Sequence, residues 1–349
     1  MTIFEDCLII ESKFILIDGI LHFFTTLSIL LISKLYFTPI STKEFYIQYF
    51  LACISISLSG SIMHSSFSLI PFVLLVVSIR VLVDSVNKSR GRVNLEIMFE
   101  ISKYGIILVS IFIPLYISIV MIHLKLLPGF SLNESTRLCP GINDAEAQWK
   151  NCTNGSLLKL ALKCINVTHD KNSKFPILPG VTTRWWQWPL MGGNLLDYYN
   201  DHRFHRIYLH LNIFNAVLVF ISIFVSLYII LNTLLNSEAN FESLKSSISL
   251  LIFLFGYLSS LVPFGFVASS TFLYHYCISL IFGFLMISSY LNILSHKYPV
   301  LSYILCILII ISSITSYVIY SPLIYGIELD SKKFDRLMLM SSWMPDKSL

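Results

Sequence analysis

The 349-residue chain is 55% hydrophobic and 14% aromatic but only 13% charged, about half the ~25% of a soluble globular domain. Its mean hydropathy is +0.74, and 24 basic against 20 acidic residues leave a net charge of +4, too small to imply an acidic partner. These values exclude a nucleic-acid binder, a disordered regulator and an ordinary cytosolic enzyme, and point to a polytopic membrane protein.

A membrane-spanning helix needs about 20 predominantly apolar residues to cross about 30 Å of hydrocarbon. The N-terminus does not read as a signal peptide, because Glu5, Asp6 and Glu11 stand where a basic segment would be. Spans are predicted at 14–35, 46–62, 65–83 and 104–126. The second and third are short and nearly continuous, so they read either as a helix–turn–helix or as one re-entrant element. A long polar stretch follows, and further spans are predicted at 207–235, 247–264, 272–293 and 300–320. The expected fold class is all-α and polytopic, with about eight spans. Its expected divisions are a membrane region at 1–126, a loop at 127–206, a four-span region at 207–322 and a tail at 323–349.

Two signals orient the first half. Arg80, Lys88, Arg90, Arg92 and Lys103 crowd the short connection before the fourth span, and short basic loops stay cytoplasmic. The long polar stretch carries four acceptor sequons, at Asn133, Asn151, Asn154 and Asn166, and sequons are used only on the lumenal side. That stretch and the N-terminus therefore read as lumenal, and the sequon at Asn87 in the basic loop as unmodified. The second half is less well oriented: Lys297 agrees weakly with the same scheme, whereas Lys332, Lys333 and Arg336 in the tail run mildly against it.

Cys7, Cys53, Cys277 and Cys306 fall in or beside spans and read as small hydrophobes. Cys139, Cys152 and Cys164 share the polar stretch, where one disulfide is expected with the third thiol unexplained. No Cys/His pattern suggests a metal, and there is no internal repeat, P-loop or Gly-rich dinucleotide turn.

Charge near lipid is costly, which makes each such residue a functional candidate. Lys13 and Asp18 open the first span, and a Lys13–Asp18 pair with a snorkelling lysine explains them as well as a function does. His64, between two spans, reads as a satisfied polar group. His275 sits among tyrosines near a helix end; an aromatic belt explains the tyrosines better than it explains the histidine. Thr182-Thr183-Arg184-Trp185-Trp186-Gln187-Trp188-Pro189-Leu190 places three tryptophans within four residues. It reads either as an interfacial anchor or as an aromatic wall beside a phosphate-binding Arg184. Asp197, Asp201, His202, Arg203, His205 and Arg206 form either a solvated charge run or a lipid-phosphate cluster.

At this point the chain resembles the protein O-mannosyltransferases, the multispanning endoplasmic reticulum enzymes that use dolichyl phosphate mannose. The family's early "DNALLTQSRFILLDS" is similar to the run from Glu5 to Gly19. Its "WxWPL" element is similar to Trp186-Gln187-Trp188-Pro189-Leu190, and its "IYLLGNP" to Ile207-Tyr208-Leu209-His210-Leu211-Asn212. Its late "RQxFLHHYLPAL" is similar to the run from Ser269 to Leu280, and Ser321–Gly326 with Trp343 fit the family's end. The matches fall in the family's order along the whole chain.

The resemblance implies a GT-C-type membrane core and a multi-pass protein of the endoplasmic reticulum membrane with its long loop lumenal. It implies mannose transfer from dolichyl phosphate mannose, the donor substrate, to Ser/Thr-rich acceptor proteins. No cofactor or metal is expected. Lys13, Arg184, Trp188 and His275 are then the expected donor or acceptor contacts. The departures are specific. The family's Asp-Glu pair, between two earlier spans, has no counterpart, and the expectation is that the chain starts after them. The loop is too short for the family's β-trefoil MIR domains. The family's early arginine is Lys13 here, its late arginine is Ser269, and its first late histidine is Tyr274. Glu5, Asp6 and Glu11 are the carboxylates nearest the first span for the role of general base, with Asp197 or Asp201 more distant. The alternative function is a catalytically silent relative that pairs with an active family member, since members work as pairs.

Overall fold

A computed structural model describes residues 1–14, 17–89, 95–126, 156–173, 182–200, 205–236, 241–267 and 269–343. Among these residues, eight helices are long and apolar enough to cross a membrane. The chain forms two compact units, residues 23–176 and residues 1–22 with 177–349.

After the short α1 (Asp6–Lys13), α2 (Asp18–Phe37) is the first long helix, followed by α3 (Lys43–Ile62), α4 (Leu69–Ser89) and α5 (Leu95–Leu126). Two helices, and not one re-entrant element, occupy the second and third predicted spans. Met63 is extended (φ −149°, ψ 135°) and breaks α3, and a 3-10 turn at His64–Ser68 leads into the next helix. His64 is satisfied there, with Nε2 3.2 Å from the Tyr116 hydroxyl. The helix α5 begins nine residues before its predicted span. Apolar counting finds only the bilayer part of a helix, whereas Glu96, Glu100 and Lys103 continue it outward, the last two as a turn-spaced pair at 3.4 Å.

Within the unit formed by residues 23–176, α3 packs along α5. Phe45, Tyr49 and Tyr104 interlock at ring separations of 5.2 to 6.3 Å, and the Tyr49 hydroxyl donates to the Tyr104 carbonyl at 2.6 Å. Such a donor needs an acceptor, because the bilayer supplies none. The helix α6 (Leu157–Ser173) lies in the stretch expected as a loop. Leu157, Leu160, Ala161, Cys164 and Val167 recur at helical spacing and cover Leu124 and its neighbours near the end of α5. Burial of that one stripe explains the helix.

The other unit is built on α7 (Ile213–Leu235), α8 (Phe241–Leu261), α9 (Cys277–Lys297) and α10 (Pro299–Tyr325). Small residues let these helices approach closely. A Cβ at Gly256 would lie 2.4 Å from Phe282, and one at Gly283 2.4 Å from Val219. Ser260 and Ser279 hydrogen-bond across α8 and α9 at 2.9 Å, and the Tyr257 hydroxyl of α8 meets that of Tyr276, just before α9, at the same distance.

The predicted span at 207–235 is helical only from Ile213. Its first residues instead form strand β2 (Arg206–Leu209), antiparallel to β1 (Leu196–Asn200), a small addition to an otherwise helical fold. Asn212 then caps α7, its side chain accepting from the Asn215 N–H at 3.2 Å. The described part of the tail, 323–343, is folded. Helix α11 (Ser331–Leu337) and Trp343 pack with Tyr208, Tyr320 and Leu323, and the Trp343 indole donates to the Met191 carbonyl at 2.8 Å. Gly326 ends α10 at φ +62°, a left-handed conformation that favours glycine.

Candidate functional site

The candidate residues that the structure describes all lie in the unit formed by residues 1–22 and 177–349. Trp188 and His275, 87 residues apart, are brought together with their rings nearly parallel (13°) and centroids 6.2 Å apart. Trp188 is fully buried. Its indole N–H donates to Thr183 Oγ1 at 2.8 Å, and Phe264 meets its ring edge-on at 5.2 Å. The Thr183 N–H donates to the Thr271 carbonyl at 2.9 Å, and Thr271 Oγ1 donates back to the Thr183 carbonyl. This pairing ties the tryptophan loop to the segment before α9. His275 accepts from the Phe272 N–H through Nδ1 at 3.1 Å and stacks on Tyr274 at 4.2 Å. The histidine therefore caps a 3-10 turn, Leu273–Tyr276.

Arg184 sits on the turn leading to Trp188. Its N–H donates to Gln187 Oε1 at 2.7 Å, while the residue itself is exposed. Lys13 lies elsewhere in the unit. Its Nζ donates to the Ile324 carbonyl at 3.0 Å and lies 3.9 Å above the Tyr325 ring. The expected Lys13–Asp18 pair does not form: Asp18 is buried beside Glu11 instead. The lysine gains a carbonyl and a ring face without burying its charge.

Glu5, Asp6 and Glu11 are buried, none more than 1% exposed. Glu5 accepts from the Asn212 N–H and from Asn215 Nδ2, each at 2.8 Å. Asn212 Nδ2 donates to the Phe4 carbonyl at 2.9 Å and the Ser313 carbonyl at 3.1 Å, and Ser313 Oγ donates to Asn215 Oδ1. The network joins the N-terminal segment to α7 and α10. Burial pushes the Glu5 carboxyl up to about 7 against the pull of these amide donors. Asp6 Oδ2 lies 3.3 Å from His210 Nδ1. Burial, reinforced by neighbouring Glu5 and opposed by Asn212, raises Asp6 to about 9, and burial lowers His210 to about 4 against the pull of the Leu211 carbonyl. Near pH 7 the contact is thus between two neutral groups. Burial also raises Glu11 to about 7, opposed by the Tyr198 hydroxyl that donates to Oε1 and helped by the charge of Asp18.

Candidate residues outside the described residues are Asn133, Asn151, Asn154, Cys139, Cys152, Asp201, His202 and Arg203. Asn166 is exposed on α6. The rest of the charged cluster has local partners. Asn200 donates to Asp197 at 3.1 Å, His205 Nδ1 meets the Gly326 carbonyl at 3.0 Å, and Arg206 lies 4.2 Å over the Phe334 ring. Sequence reasoning missed Tyr198, Asn215 and Ser313 as partners of the carboxylates. His210 and Asn212 lie within the Ile207–Asn212 motif, which is the sequence signal for this cluster.

The described helices define a polytopic helical membrane protein. Residues 1–127 match the family described as dolichyl-phosphate-mannose-protein mannosyltransferase, and residues 163–343 match the C-terminal four-transmembrane region of protein O-mannosyltransferase. The chain belongs to the protein O-mannosyltransferase family, which are glycosyltransferases. No individual curated protein matches the chain.

Proposed function

We propose that the chain takes part in protein O-mannosylation in the endoplasmic reticulum membrane, transferring mannose from dolichyl phosphate mannose to Ser or Thr hydroxyls. The observation that carries this reading is the Arg184 turn, an exposed guanidinium held on a loop whose Trp188 is locked against His275. Arg presents paired donors to phosphate oxygens, and stabilising a departing lipid phosphate is what the transfer requires. Lys13 is a second cation for the donor, held at the end of α10. Residues 127–206 are lumenal in this reading, and the short basic connection before α5 is cytoplasmic.

The transfer also needs a carboxylate to take the proton of a weakly acidic hydroxyl. Of the three candidates, Glu11 combines a carboxyl pushed up to about 7 by burial with a place beside a second carboxyl, Asp18, and a hydrogen bond from the Tyr198 hydroxyl to Oε1. Glu5 has both oxygens engaged, and Asp6 holds its proton at neutral pH. The burial of all three supports a second reading, in which the chain is the silent partner of an active family member.

Transfer of radiolabelled mannose from dolichyl phosphate mannose to a Ser/Thr-rich peptide tests both. Membranes holding the chain alone are compared with membranes that also hold a full-length relative. Transfer by the chain alone that falls about 10²-fold or more in Glu11→Gln supports the enzyme. Transfer altered only alongside the relative supports the partner, and silence in both arms refutes both readings.

A further inference from the structure

We propose that Cys7 and Cys277 form a disulfide that staples α1 to the start of α9. Their sulfurs are 2.7 Å apart and separated by 270 positions in sequence. That distance is shorter than van der Waals contact between two sulfurs, and about 0.7 Å longer than an S–S bond. Both side chains are fully buried.

The position of the pair gives the bond a role. The helix α1 has eight residues, too few to be stable alone, and its buried apolar side chains are Cys7 and Ile10 only. It nevertheless carries Asp6, Glu11 and Lys13. Cys277 directly follows the Leu273–Tyr276 turn that holds His275. A covalent bond here would hold the α1 carboxylates in fixed register with the His275 turn.

The chemistry is thiol–disulfide exchange with a disulfide of the oxidoreductase or glutathione class as oxidant. The thiolate of one cysteine attacks that disulfide and displaces one of its sulfurs as a thiolate, leaving a mixed disulfide. The second cysteine, as thiolate, attacks the first cysteine's sulfur and displaces the other sulfur of the oxidant. Two S–H bonds are lost, one S–S bond forms, two protons are released and two electrons pass to the oxidant. Exchange has to precede docking of α1, because the docked pair is inaccessible. It also rests on the lumenal placement of the N-terminus proposed above, since disulfides persist in oxidising compartments.

The test needs no variant. Membranes holding the full chain are dissolved in detergent with excess N-ethylmaleimide and no reductant, digested, and analysed by mass spectrometry. A peptide pair joined through Cys7 and Cys277, lost when reductant precedes alkylation, is expected. Recovery of both cysteines as maleimide adducts, or a link from either to a third cysteine, overturns the proposal. Thiol counting in denaturant gives a second readout. Without reductant, Cys7→Ser gains one titratable thiol relative to the parent if the bond exists, because Cys277 is released, and loses one if it does not. Glycosidase treatment of the same sample separates the two readings. Free thiols in a glycosylated chain overturn the disulfide alone, and free thiols with no glycan overturn the lumenal placement as well.

Discussion

At the scale of single residues, burial decides what the acidic side chains do. Glu5 and Asp6 hold their protons in the folded chain, at about 7 and about 9, where ordinary carboxyls near 4.5 and 3.8 have released them. Folded-state values above the unfolded ones make stability greatest at low pH, and it falls as pH rises from about 4 toward 9. Thermal unfolding in detergent at about pH 5.5 and about pH 8.5 should therefore show a lower midpoint at the higher value. Asp6→Asn, which cannot ionise, should raise the midpoint at both values and by more at the higher pH, there by about 3 °C or more. Equal shifts at both values would contradict the buried, protonated Asp6. Trp188 is equally specific. Trp188→Ala should cost about 3–5 kcal/mol by emptying a core position, so lost donor binding in that variant would report unfolding. Trp188→Phe keeps a ring against His275 and gives up the Thr183 hydrogen bond, about 1 kcal/mol. It is the variant in which to measure binding of a dolichyl phosphate probe, and a collapse of its melting temperature to that of the alanine variant would refute this division.

At the scale of elements, close helix approach is set by glycine. Gly283→Val would drive a side chain into Val219, and overpacking of this kind costs about 1–3 kcal/mol. A fall in melting temperature and in the yield of monodisperse protein is expected. Gly19→Ala is the control, since its added Cβ meets nothing within 4 Å and alanine gains about 0.5–1 kcal/mol in a helix. If both substitutions behaved alike, the α7–α9 contact would not be as close as described. Element boundaries were legible where hydropathy alone sets them. They were missed where a polar residue or a strand continued the structure, as in α5 before Tyr104 and in the β1–β2 hairpin. The helix α6 was legible in principle through its apolar spacing, but it lies in a stretch whose overall polarity hid the pattern.

At the scale of the whole molecule, eight helices among the described residues that are long and apolar enough to cross a membrane, together with the family match over residues 1–127 and 163–343, establish a multi-pass member of the protein O-mannosyltransferase family. The lumenal orientation proposed for residues 127–206 makes a direct prediction, because Asn166 is exposed in its sequon on α6. Peptide-N-glycosidase should increase gel mobility, and Asn166→Gln should by itself remove one glycan's worth of that shift. A chain with no shift at all would reverse the orientation. A shift unaffected by Asn166→Gln would confine modification to the other sequons.

The sequence by itself determined the membrane class, the approximate position of the spans and the family, because hydropathy and short motifs are local sums that need no knowledge of distant partners. It also named Trp188 and His275, though not that they stack. Only the tertiary structure decided that Glu5 is held by Asn212 and Asn215, that Asp6 faces His210, that Lys13 turns to α10 instead of Asp18, and that Cys7 meets Cys277. Each of these joins residues that chain closure alone makes neighbours. The carboxylate contacts also depend on desolvation, a property of what surrounds a group in space and not of what adjoins it in sequence.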